Sequence, residues 1–176
     1  MRKESPFAKY MGIGNPGIGK GRKAIQKWLR ELRGQEEEMT TALDTNVIVA
    51  LWDASDSLHV AARKALDDAW SQDTLVVSGV VYAELIGAPR RTEAFVDRFC
   101  EEAGIVVEWA LEEKIWRAAG SAFQGYAARR KRQGGSRPLL AGFLIGAHAV
   151  EKGYKLLTAD AGLYKASFPR LTLALV

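Results

Sequence analysis

The sequence predicts an α/β fold, a mainly parallel sheet layered between helices. Three observations lead there. Short apolar, β-branched runs (Leu43–Val47, Thr74–Val77, Ile105–Val107, Lys155–Thr158, Leu171–Leu175) are spaced through residues 39–176. Between them lie stretches with apolar residues at helical spacing, so each strand must reach the next by a crossover, which makes neighbours parallel. At 176 residues and 48% apolar content, the chain has material for one substantial core.

The elements follow in order. Residues 1–34 form an arm. Its first part, Ser5 to Lys23, is rich in glycine, lacks periodicity and reads as an extended surface segment. Gly12, Gly14 and Gly17 match GxGxxG, and Gly14 to Lys20 nearly matches a phosphate loop. Neither follows a predicted strand, and Gly21 stands where a magnesium-binding Ser or Thr belongs, so both readings fail. Ile25, Trp28, Leu29 and Leu32 then fall at i, i+3, i+4 and i+7, the stripe of a short amphipathic helix. Ten residues of helix are marginal alone, so the Trp28 stripe requires a groove. Residues 35–38 are a charged linker.

The first predicted strand, Leu43–Val47, carries Asp44 in an apolar setting. Ser57 is placed to cap a helix with Leu58, Ala61, Ala62, Ala65, Leu66 and Ala69 on one face. After Thr74–Val77, Ser78 caps a helix over Val80–Ala88, ended by Pro89. Thr92 caps Glu93–Ala103. Ile115, Ala119, Ala122, Phe123 and Tyr126 mark a long helix running into Arg129, Arg130, Lys131 and Arg132. A loop over 133–137 leads to Pro138 and a helix to about Lys152. Asp53, Asp56, Asp67, Asp68 and Asp73 are read as solvated, and His59 as surface. His148, six residues from position 142, is read as structural and on a similar face.

Charge is unevenly placed. Residues 1–38 hold nine Lys and Arg against five Asp and Glu, while residues 39–176 hold sixteen of each. The net +4 therefore sits on the arm. It suits either nucleic acid or an acidic cleft. The lone Cys100 excludes an internal disulfide and reads as a buried hydrophobe on a helix. No run is long enough to span a membrane, and the first residues lack the apolar core of a signal peptide, so a cytoplasmic protein is expected.

Asp44, Glu84 and Asp160 follow strands, where parallel sheets build their sites. Three carboxylates at one sheet edge suit a hard cation such as Mg²⁺. They also suit helix N-terminal positions facing a dipole. Spacing leaves the two readings even.

Asp44-Thr45-Asn46, Tyr82-Ala83-Glu84-Leu85, the helix Leu140 to Ala149 and Leu157-Thr158-Ala159-Asp160 together resemble the PIN-domain family, more narrowly VapC-type toxins. The resemblance covers residues 39–176. It implies a three-layer α/β/α fold and Mg²⁺- or Mn²⁺-dependent endoribonuclease activity on tRNA or rRNA, with a homodimer or larger assembly. It also implies that Asp44, Asp160 and Glu84 hold metal, that Asn46 and Thr158 position them, and that Arg129, Arg130, Arg132 and Arg137 meet RNA phosphates. That basic run reads equally as a solvated helix end. The family pattern has an acid directly before Phe143, where this chain has Gly142. Glycine inside a helix is unfavourable by about 1 kcal/mol against Ala, so Gly142 implies an impaired site, the alternative being that it permits close packing of a helix that is merely core. Residues 1–34 resemble the toxin-binding tail of a VapB-type antitoxin, with Lys20, Arg22 and Lys23 as candidates to meet the acids. The alternatives are a non-catalytic RNA- or protein-binding domain and a DNA-directed nuclease. A haloacid-dehalogenase-like phosphatase would need a second Asp at Asn46.

Overall fold

A computed structural model describes residues 6–11, 39–131 and 140–176. The Trp28 stripe, the glycine-rich run, the linker, and Arg132, Arg137 and Pro138 lie outside these residues.

Five parallel strands form one sheet in the order β3-β2-β1-β4-β5. They are β1 (Thr40–Leu43), β2 (Thr74–Ser78), β3 (Val106–Glu108), β4 (Lys155–Thr158) and β5 (Leu173–Leu175). Seven α-helices connect them: α1 (Thr45–Trp52), α2 (His59–Gln72), α3 (Gly79–Gly87), α4 (Glu93–Ala103), α5 (Glu113–Lys131), α6 (Leu140–Lys152) and α7 (Ala161–Ser167). The central strand β1 pairs with β2 on one side and β4 on the other, with Leu43 opposite Leu157. Its apolar residues are buried on both faces, as a doubly covered parallel strand requires.

The predicted first strand is shifted. β1 ends at Leu43, and residues 45–52, including Val47, Ile48 and Val49, are helix. Asp44 is the extended residue between them. Apolar residues at 47, 48, 50 and 51 serve a buried helix as well as a strand, and four residues are too few for period alone to separate the two.

The caps at Ser78 and Thr92 form as expected, with Ser78 Oγ accepting from Val81 N and Thr92 Oγ1 from Phe95 N. Ser57 is not the cap of α2. Leu58 stands at that boundary, and Asp56 Oδ1 accepts its backbone N–H at 2.8 Å. Nor is His59 on the surface. It is buried, with Nδ1 3.1 Å from the Ala50 carbonyl oxygen. Nor is the Asp73 side chain solvated: it is 5% exposed, Thr41 Oγ1 donates to it at 2.5 Å and Lys155 Nζ lies 2.9 Å away. Cys100 is buried as expected, and burial pushes its thiol up to about 12.

The arm docks through residues the sequence reading passed over. Pro6–Tyr10 forms a 3₁₀ turn between α2 and α4, not an extended surface segment. Phe7 and Tyr10 are essentially fully buried. Tyr10 meets Phe99 edge-on at 4.8 Å and donates a hydrogen bond to Glu102, and Phe7 packs on Phe99 at 6.2 Å. Rings of this kind bury about 200 Å² each, roughly 5 kcal/mol apiece at ~25 cal/mol/Å² before ordering costs.

Candidate carboxylate site at the sheet edge

The centre of the site follows from strand register. Leu43 lies opposite Leu157, so the next residues, Asp44 and Thr158, meet just past the strand ends. Asp44 N donates to the Leu157 carbonyl at 3.0 Å, which fixes the carboxylate's origin. Thr158 Oγ1 then donates to Asp44 Oδ2 at 2.6 Å and Asn46 Nδ2 to the same oxygen at 2.8 Å. Asn46 Oδ1 accepts the backbone N–H of Ala159 at 3.1 Å, tying α1 to the end of β4.

A third donor was missed from sequence. Tyr164, on α7, places its hydroxyl 3.0 Å from Asp44 Oδ2. A tyrosine four residues after a candidate acid was the available signal, but its direction depends on how α7 packs. Burial raises the Asp44 carboxyl above the usual carboxylate range, and hydrogen bonds from Thr158 and Tyr164 only partly offset this. Burial likewise raises the Tyr164 phenol, helped by the nearby Asp44, Asp160 and Glu84.

The other two acids are more open. Glu84, half-buried on α3, accepts a hydrogen bond from Thr45 Oγ1. Asp160 is exposed, accepts from Leu163 N at 3.0 Å as the cap of α7, and donates its own N–H to Thr158 Oγ1 at 2.9 Å. Asp160 thus fills the helix-terminal role considered for Asp44 and Glu84. Asp44 precedes α1 but makes no side-chain capping bond.

Position 142 faces this site. A Cβ on Gly142 would lie 3.9 Å from the Tyr164 hydroxyl oxygen and 2.8 Å from Leu163 Cδ2. The glycine therefore has a local justification after all: it admits Leu163. His148 does not share that face. It is buried with Nε2 2.6 Å from Glu108 Oε2, on the β3 side. Six residues advance a helix by about 240°, which explains the divergence. Arg129 donates to the Ala166 carbonyl at 3.2 Å and sits over the Tyr126 ring, both away from the carboxylates' hydrogen bonds. The side chain of Arg130 lies outside the described residues.

The donor set suits a hard divalent cation of the kind the resemblance implies. Every donor is oxygen, and among the described residues no Lys or Arg pairs with buried Asp44. Among the described residues no group of three His, Cys, Asp or Glu side chains lies close enough together to hold a metal ion by itself. Mg²⁺ commonly takes one or two carboxylates and keeps its waters, so an open set fits it.

A family model, PIN domain, matches residues 41–169. The chain belongs to the PIN-domain family. Among solved structures, this PIN domain is similar to VapBC-1 from nontypeable Haemophilus influenzae, at 24% identity and a TM-score of 0.54, covering 77% of this chain and 97% of that one. It is similar to VapBC2 from Rickettsia felis, solved bound to a DNA fragment from its promoter, at 19% identity and 0.53, covering 78% and 99%. A third is VapC20 from Mycobacterium tuberculosis, a sarcin–ricin loop cleaving toxin, at 18% identity and 0.50, covering 73% and 95%. At these identities the likeness is one of fold. No curated protein matches the chain. Among the described residues, no helix is long and apolar enough to cross a membrane.

Proposed function

We propose that this PIN domain is a metal-dependent endoribonuclease toxin of a toxin–antitoxin pair, joined to an inhibitory antitoxin-like arm and impaired at Gly142. The arm is residues 1–34, the linker 35–38 and the nuclease 39–176. The observation that carries the reading is the direction of position 142. The place where an acid is expected faces the Tyr164 hydroxyl that holds Asp44.

Asp44, Asp160 and Glu84 would hold Mg²⁺ or Mn²⁺. Bound there, such an ion generates a nucleophilic water and stabilises charge on the scissile phosphate. Asn46 and Thr158 hold Asp44 in place, and Thr45 holds Glu84. The substrate is RNA of the tRNA or rRNA class, supported by the PIN fold and the VapC-like matches. Arg129, Arg130, Arg132 and Arg137 remain candidates for phosphate contact. The arm's buried Phe7 and Tyr10 support docking on the nuclease. The nine residues from Met11 to Lys20 could span at most about 30 Å, and Lys20, Arg22 and Lys23 remain the candidates to meet the acids. Trp109 and Trp116 are exposed beside Glu84 and support a face for a second copy. If they serve it, light scattering of Trp109→Ser/Trp116→Ser will report a smaller species than the parent.

The test of activity restores the acid and loosens the arm. Gly142→Asp combined with Phe7→Ala and Tyr10→Ala should cleave structured RNA with Mg²⁺. The unmodified chain should cleave it at least a hundredfold more slowly. Silence from the folded triple variant would sink the nuclease reading, and a preference for DNA would redirect it. Rapid cleavage by the unmodified chain would remove the claim of impairment.

A further inference from the structure

Two glycines one turn apart on α6 shape the site from behind. The Cβ absent from Gly146 would lie 2.5 and 2.7 Å from ring carbons of Phe168 and 3.0 Å from Tyr164 Cδ1. The Cβ absent from Gly142 would meet Leu163. Real Cβ contacts do not come so close, so the pair forms a notch that receives α7 and its following residue. Tyr164 lies in that notch, 1% exposed, with its hydroxyl at Asp44.

The side-chain hydrogen bonds to Asp44 converge on one oxygen, beside backbone bonds from Thr45 and Asn46. Thr158, Asn46 and Tyr164 all donate to Oδ2. Among the described residues no side chain donates to Oδ1. Three neutral donors on one oxygen fix the carboxylate plane without neutralising its charge. A Lys or Arg in the same place would have consumed the charge.

We propose that Tyr164 is a positioning residue of this site: carried in by the α6 glycine notch, its hydroxyl pins Oδ2 of Asp44 and so orients the carboxylate that would hold a divalent cation. This rests on the cation reading above. Hydrogen-bonded partners of ligating carboxylates characteristically change metal affinity 10–100-fold when removed.

The test is calorimetric titration of the full chain with Mn²⁺. Asp44→Asn locates the uptake and should abolish it. Tyr164→Phe keeps the ring in the notch, and its Mn²⁺ affinity should fall about 10–100-fold. Tyr154→Phe is the control for a merely structural loss: it removes a half-buried hydroxyl that donates to Glu108 at 2.9 Å rather than to Asp44, Glu84 or Asp160. Its melting temperature should fall comparably and its Mn²⁺ affinity should stay within twofold of the parent. The same comparison in a Gly142→Asp background guards against weak binding by the parent. Equal affinity in Tyr164→Phe and its parent, in both backgrounds, overturns the positioning role and leaves the cation reading standing. No Mn²⁺ uptake by either background overturns the cation reading and this inference with it.

Discussion

Two buried aspartates lie at opposite ends of the central strands, and they are satisfied in opposite ways. Asp73, before β2, meets a cation: Lys155 Nζ at 2.9 Å, with Thr41 Oγ1 at 2.5 Å. Asp44, after β1, meets among the described residues the neutral side-chain donors of Thr158, Asn46 and Tyr164. A buried carboxylate kept for structure is best matched by a charge the chain itself supplies. One held by hydroxyls and an amide keeps its charge available to something that arrives later. On the proposed reading that contrast separates framework from site, with the site at the carboxyl ends of the strands.

The largest effect should come from breaking the first arrangement. Asp73→Ala leaves Lys155, whose side chain is 22% exposed in the parent, without this partner, and removes the acceptor of Thr41. Removing one member of a buried pair is costly, and about 3 kcal/mol of lost stability is expected here, read by urea unfolding. Divalent cation binding should be unaffected once the variant is folded. A loss below about 1 kcal/mol would mean that Asp73 is as expendable as a surface acid, and the comparison would fail on its structural side.

The sequence exposed much of this architecture and little of this contrast. Strand–helix alternation, the Ser78 and Thr92 caps and the position of Asp44 after a strand were legible because they depend on local pattern. The helix at 45–52 was misread because its apolar run is short and buried all round. Asp73 looked like a turn residue, and only the parallel register brings Lys155 and Thr41 to it. Tyr164 was invisible for the same kind of reason, since the packing of α7 in the glycine notch aims its hydroxyl. The pair Phe7 and Tyr10 showed the i, i+3 spacing of a turn, but the longer Trp28 stripe drew the attention.

Asp44→Asn sharpens the second half of the comparison. The folded carboxyl is raised by burial, so its charged form opposes folding above the ordinary carboxylate pKa and the penalty fades as pH falls through the folded value. The neutral amide escapes that penalty. At pH 7 the variant should be more stable than the parent, and its advantage in melting temperature should vanish under acid conditions. Mn²⁺ binding should disappear. A variant that is less stable at every pH would show that Asp44 belongs to the framework, as Asp73 does.

Glu108 supplies the smallest and most discriminating case, because it shares the sheet edge with Asp44 but shifts the other way. Burial pushes its carboxyl up, yet hydrogen bonds from His148 and Tyr154 outweigh that and hold it below the usual range. A depressed carboxyl stabilises the fold above its unfolded pKa, and that contribution is lost as pH falls through the depressed folded value. Glu108→Gln should therefore lower stability by less than about 1 kcal/mol at pH 7, with the difference from the parent closing under acid conditions. The Asp44→Asn difference closes over the same direction of pH but from the opposite sign. If both variants moved stability alike, satisfaction by neutral donors and satisfaction by a basic partner would be energetically equivalent at this edge, and the geometry alone would no longer mark Asp44 as the functional acid.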